Sequence, residues 1–141
     1  MPEQSFEVAD RLHSAAIHLL RTAAKTDTHS GQGPARLSAL SVLVFGGPKT
    51  LGQLAAAERV KPPTMSRIVA GLKQSGLARV QNDGQDARKI TISVTAKGGR
   101  LLQEARKRRI QELAENLKNL GEADLKTLSK AADLIENLLH A

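Results

Sequence analysis

Apolar residues return at helical spacing near both ends of the chain, and a different pattern occupies the middle. Phe6, Ala9, Leu12, Ala16, Leu19 and Ala23 stand three or four apart, the stripe of an amphipathic helix, and predict a helix over 5–25. Turn-forming residues crowd 28–34, which reads as a flexible link. A second helix is predicted over 36–45, with Leu37, Leu40 and Val44 on one face and Gly46-Gly47-Pro48 ending it. Thr50 and Gln53 have the spacing of a capping box, in which each side chain satisfies a backbone N–H at a helix start, and predict a third helix over 51–58. Pro62 and Pro63 suit a first helical turn, where no N–H partner is needed, and open a fourth helix over 62–74, stopped by Ser75-Gly76.

From Leu77 the period changes to two. Ile90, Ile92 and Val94 alternate with Thr91 and Ser93, a strand pattern, and 77–80 can pair with it across the polar loop 81–89. Thr95 then caps a long helix carrying Leu101, Leu102, Ala105, Ile110, Leu113 and Leu117, and Gly121 breaks it. A last helix over 122–140 repeats Leu125, Leu128, Ala132, Ile135 and Leu138. The predicted fold is mainly α with a small β-hairpin wing, in the order α, α, α, α, β, β, α, α.

Charge sharpens this picture. The 141 residues carry a net +7, but 1–49 contribute +1, 50–100 contribute +6 and 101–141 contribute nothing. A concentrated positive field attracts polyanions, and it covers the two short helices and the hairpin. Such a unit can place its second helix in a DNA major groove while the hairpin tip reaches the flanking backbone or minor groove. On the fourth helix Met65, Ile68 and Leu72 are expected to pack inward, turning Thr64, Ser66, Arg67 and Lys73 outward. Hydroxyls bond to phosphates or base edges, and Arg bonds to phosphate or bidentately to guanine. The helix start around Pro63 and Thr64 directs its positive dipole end at an anionic backbone. At the hairpin tip Asp86 stands two before Arg88, placed to hold the guanidinium extended so that its other donors face the minor groove. The full candidate DNA-binding set is Lys61, Pro63, Thr64, Ser66, Arg67, Arg79, Asp86, Arg88 and Lys89. Arg79 fits equally a structural charge at the base of the wing or a phosphate contact.

Other chemistry finds little support. There is no cysteine, so disulfides, Cys-based zinc sites and thiol switches are excluded. His13, His18, His29 and His140 lack a close two-ligand spacing, and no metal or cofactor is expected. No Gly-x-Ser-x-Gly, His-Glu-x-x-His or phosphate loop occurs, so no enzyme is signalled. The absence of a basic start with an apolar run, or of any stretch of about 18 apolar residues, leads to the expectation of a cytoplasmic protein without a membrane partner. The basic run Arg106-Lys-Arg-Arg109, flanked by Glu104 and Glu112, reads as a solvated, internally paired helix face.

The stretches Thr50-Leu-Gly-Gln-Leu-Ala55, Val60-Lys-Pro-Pro-Thr-Met-Ser-Arg67, Gly71-Leu-Lys-Gln-Ser-Gly-Leu-Ala-Arg79, Asp86-Ala-Arg88 and Thr95-Ala-Lys-Gly98, in this order and spacing, resemble the MarR family of transcriptional regulators. The resemblance implies a single winged helix-turn-helix domain over 1–141, with 5–35 and 100–141 as dimerisation helices and 36–99 as the DNA-binding region. It also implies a homodimer on a palindromic double-stranded DNA operator, acting as a repressor released by a small-molecule effector. The sequence departs from the family pattern at Gly84-Gln85 and Ala87, where further charge is frequent, which implies weaker minor-groove contact. With 1% aromatic residues, the effector pocket is expected to be largely aliphatic. The alternative from another class is a winged-helix protein-interaction module without DNA binding. An acidic or apolar recognition face would favour it, and Thr64, Ser66 and Arg67 do not supply one.

Overall fold

The computed structural model describes residues 2–82 and 90–140. Two compact units form, Ala24–Arg109 and the pair of segments Met1–Ala23 and Ile110–Ala141. The elements are α1 (Pro2–Ala24), a 3₁₀ turn (Lys25–Ser30), α2 (Pro34–Gly46), β1 (Lys49–Thr50), α3 (Leu51–Glu58), α4 (Pro62–Gln74), β2 (Ala78–Asn82), β3 (Ile90–Val94), α5 (Ala96–Leu117) and α6 (Glu122–Leu139).

In the unit Ala24–Arg109, α2, α3, α4 and the sheet enclose one core. Leu40 and Leu43 from α2, Leu54 from α3, Met65 and Leu72 from α4, Leu77, and Ile92 from β3 are its largest fully buried side chains. Each turn toward this core has a local cause. The capping box at Thr50 is complete: the Thr50 hydroxyl accepts from the Gln53 N–H, and the Gln53 side chain accepts from the Thr50 N–H. Pro62 and Pro63 occupy the first turn of α4. Thr95 caps α5, accepting from the Gly98 N–H at 3.0 Å while donating to the Gly76 carbonyl at 2.6 Å.

The structure extends the expected hairpin into a three-stranded antiparallel sheet in the order β1-β3-β2. Ala78 faces Val94 and Asn82 faces Ile90, while Lys49 pairs with Ile92 and Thr50 with Thr91 on the other edge of β3. Two residues carry no alternation that a sequence pattern can register, so β1 was not predicted. The segment 28–34, expected as a flexible link, begins inside a 3₁₀ turn. The chain completes a 3₁₀ turn through Ser30, whose hydroxyl donates to the Asp27 carbonyl at 2.6 Å and accepts from the Gln32 N–H at 3.1 Å.

The other unit is built from amphipathic helices, and many of their apolar residues stay bare. Phe6, Leu12, Leu19, Leu125, Leu128 and Leu138 are all exposed, Phe6 at 77% and Leu138 at 74%. No helix among the described residues is long and apolar enough to cross a membrane.

Candidate nucleic-acid interface

The helix-turn-helix is the pair α3 and α4, joined by Arg59-Val60-Lys61. Arg59 makes the turn in the left-handed conformation, φ 55°, and its N–H closes onto the Ala56 carbonyl, while Val60 bonds back to Ala55. A left-handed arginine costs about 1 kcal/mol relative to glycine. It leaves an exposed cation in the turn. Sequence reading missed Arg59; its signal was a helix stop carried by a residue other than Gly or Asn.

α4 buries Met65, Val69 and Leu72 and leaves Pro63, Thr64, Ser66, Arg67 and Lys73 exposed. Ile68, expected to pack inward, is half-buried against the core, and Val69 joins Met65 and Leu72 among the buried residues at i, i+4, i+7. Lys61 is the exposed N-cap, with no side chain capping that end. Lys61, Thr64 and Arg67 therefore follow one another at i, i+3, i+6 along one face beside the helix N-terminus. The positive dipole end lies there, with the exposed Lys61, Thr64 and Arg67 at the N-cap and on the first two turns.

Arg79 is exposed on β2 opposite Ser93, at the end of the strand remote from 83–89. It stands on a different element from Lys61, Thr64 and Arg67. Asp86, Arg88 and Lys89 lie outside the described residues, as do Gly84, Gln85 and Ala87.

α4 is held from behind by a contact that the sequence did not announce. Gly71 is buried, and a β-carbon there would lie 2.2 Å from Nη2 of Arg36, so the Arg36 guanidinium rests directly on the helix backbone. The same guanidinium donates to Oε1 of Gln32 at 3.4 Å. A second tie joins α2 to α3, where the Ser38 hydroxyl lies 2.8 Å from both carboxylate oxygens of Glu58.

Beside α2 and the first turns of α5 lies a cavity of about 410 Å³, walled by Leu37, Phe45, Leu102 and Ala105 and by the polar groups of Ser41 and Arg106. Asp27 and Arg109 also line it. Arg109 donates from Nε to Oδ1 of Asp27 at 2.7 Å and from Nη2 to Oδ2, a bidentate pair between residues 82 apart. Asp27 is buried. The hydrogen bonds to Asp27 raise the Arg109 guanidinium above its ordinary value, with partial burial opposing, so it stays cationic. The basic run at 106–109 is thus not wholly a solvated face, because Arg109 is committed to a distant acid. Phe45, one of the two phenylalanines of the chain, is the aromatic residue in the cavity's lining.

Comparison with known proteins gives this architecture its relatives. A model of the MarR family matches residues 30–89. An uncharacterised HTH-type transcriptional regulator of Mycobacterium leprae is 34% identical over 139 residues, covering 99% of this chain and 97% of that protein. Among solved structures, a MarR family protein from Bacillus stearothermophilus superposes with a TM-score of 0.82 at 19% identity, covering 100% of this chain and 99% of that one. NadR in complex with 4-hydroxyphenylacetate superposes with a TM-score of 0.66 at 19% identity, covering 93% and 91%. The helix-turn-helix, the wing strands and the full-length match to the mycobacterial regulator agree, and the chain belongs to the MarR family.

Proposed function

We propose that this protein is a cytoplasmic, homodimeric transcriptional regulator that binds a palindromic double-stranded DNA operator and leaves it when a small molecule binds. The observation that carries the reading is α4, which buries one face and presents Lys61, Thr64, Ser66 and Arg67 bare at its N-terminal end, within a segment of net charge +6. Thr64, Ser66 and Arg67 would read base edges and phosphates, Lys61 and Arg59 would contact phosphate, and Pro63 would set the helix entry. Asp86, Arg88 and Lys89 would supply wing contacts, and Arg79 a backbone contact at the wing base. The mycobacterial relatives bear the names of HTH-type transcriptional regulators, which supports the same role here.

Dimerisation would cover the bare apolar faces of α1 and α6. Burying apolar surface stabilises by roughly 25 cal/mol per Å², and Phe6, Leu12, Leu125 and Leu128 have little else to gain from folding alone. A two-fold dimer also matches a palindrome.

The cavity beside α2 would take the effector, an apolar body against Leu37, Phe45 and Leu102 with an anionic group toward Arg106. NadR, which shares the fold, holds 4-hydroxyphenylacetate, a ring bearing a carboxylate. Release requires the effector to favour one arrangement of the dimer over the DNA-competent one.

Selection of bound duplexes from a random-sequence library tests the reading. Two inverted half-sites about 10 base pairs apart, centre to centre, or a multiple of that, are expected; enrichment of no motif contradicts it.

A further inference from the structure

Beyond the DNA face and the cavity beside α2, a second concavity of about 250 Å³ opens between the 3₁₀ turn and the start of α5. His29, Lys97, Arg100 and Arg108 line it over a floor that includes Leu101, with Glu104 as the one acid. Lys97, Arg100, Glu104 and Arg108 follow at three- and four-residue steps, so one face of α5 carries them all.

The cations there are unequal in how they are satisfied. Lys97 donates from Nζ to the Ser75 carbonyl at 3.0 Å, and the neighbouring Arg109 is taken by Asp27. Arg108 is half-buried, yet neither it nor Arg100 forms an ion pair with any carboxylate among the described residues. A partly desolvated guanidinium that makes no direct ion pair has donors to spare, and an arriving anion would satisfy them.

We infer that this crevice binds a small, multiply charged anion bearing phosphate or carboxylate groups, at a site separate from both the DNA face and the cavity beside α2. Arg100 and Arg108 grip it as bidentate donors, and His29 and Lys97 close the rim. The volume falls below the roughly 300–1,000 Å³ of drug-sized sites and suits a compact metabolite-sized anion. DNA is the less fitting occupant. Lys97 anchors the crevice at Ser75, the C-cap of α4, and eleven residues of 1.5 Å rise put that end about 16 Å along the axis from Thr64.

The test is calorimetric titration of the full-length protein with sodium pyrophosphate and, separately, citrate, at ionic strength held constant with sodium chloride. Three proteins are compared: the natural chain, the double variant Arg100→Gln/Arg108→Gln, and Lys126→Gln/Lys130→Gln, which removes the same charge from exposed positions on α6. Saturable binding of at least one probe is expected, weakened about tenfold or more in the first variant and unchanged in the second. Which probe binds tells phosphate from carboxylate. Nitrogen-proton correlation spectra should place the shifted amides at 29–30 and 97–108. No saturable binding of either probe, or equal weakening in both variants, overturns the site. A loss of affinity for random duplex DNA in Arg100→Gln/Arg108→Gln that matches its loss for pyrophosphate overturns it in favour of a DNA-backbone contact.

Discussion

Gly98 brings the first turn of α5 so close to the connection between α4 and β2 that a β-carbon on it would lie 2.1 Å from the Leu77 carbonyl oxygen and 2.9 Å from the Val94 side chain. The obstacle is backbone, fixed further by the Thr95 N–H donating to that same carbonyl at 3.1 Å. Gly98→Ala is expected to destabilise by about 1–3 kcal/mol through overpacking. Gly99, one residue on, faces open space. Gly99→Ala should gain up to about 1 kcal/mol from helix propensity, so urea unfolding midpoints of the two neighbours should move in opposite directions.

Gly71 gives a different outcome because its obstacle is movable. Gly71→Ala must expel the Arg36 guanidinium from the helix, and the propensity gain of about 1 kcal/mol offsets that loss. In an Arg36→Ala background those three nearest atoms, Nη2, Cζ and Nε of Arg36, are gone. There, Gly71→Ala should stabilise by about 0.5–1 kcal/mol, and the difference between backgrounds in a double-mutant cycle measures the contact. Additive effects would show that Arg36 contributes nothing at that seat.

Arg59 separates stability from binding. Arg59→Gly removes the left-handed cost and should leave stability unchanged or raise it by up to about 1 kcal/mol. Loss of this cation from the proposed interface should at the same time weaken duplex binding and lower the salt slope by roughly one unit. Unaltered affinity across a salt series would remove Arg59 from the interface.

Asp27→Asn leaves the Arg109 fork with a neutral partner. Arg109 is 40% exposed on its side chain, so water replaces part of the loss, and a destabilisation of about 1–2 kcal/mol is expected. Folding raises the guanidinium's pKa, so its share of the stabilisation is complete below the ordinary Arg range and is lost only as pH rises through the raised value. Thermal unfolding should therefore show the same Asn penalty at pH 6 and pH 9, both far below the guanidinium's range.

The features legible in the sequence were the local ones. Pro62-Pro63, the Thr50/Gln53 box and the Ile90-Ile92-Val94 alternation each act over a few residues, and the elements they imply are present. Ile68 was expected inward and does pack against the core, but the deeper burial of Val69 was missed, because 68 and 69 both fit a helical stripe and only packing ranks them. Asp27 with Arg109, Arg36 with Gly71 and Lys49 with Ile92 join residues far apart in sequence, and such pairings leave no periodic trace. A glycine inside a helix signals that something passes close, as at Gly71 and Gly98, but does not name what.

The central claim is that the exposed face of α4 reads duplex DNA. The most direct test is fluorescence anisotropy of the purified protein with the duplex flanking its own gene, against excess random duplex, at two salt concentrations, with Arg67→Ala in parallel. Binding is expected to weaken with salt, survive the competitor, and lose its discrimination in Arg67→Ala. Equal loss to random DNA, with Arg67→Ala indistinguishable from the natural chain, would contradict it.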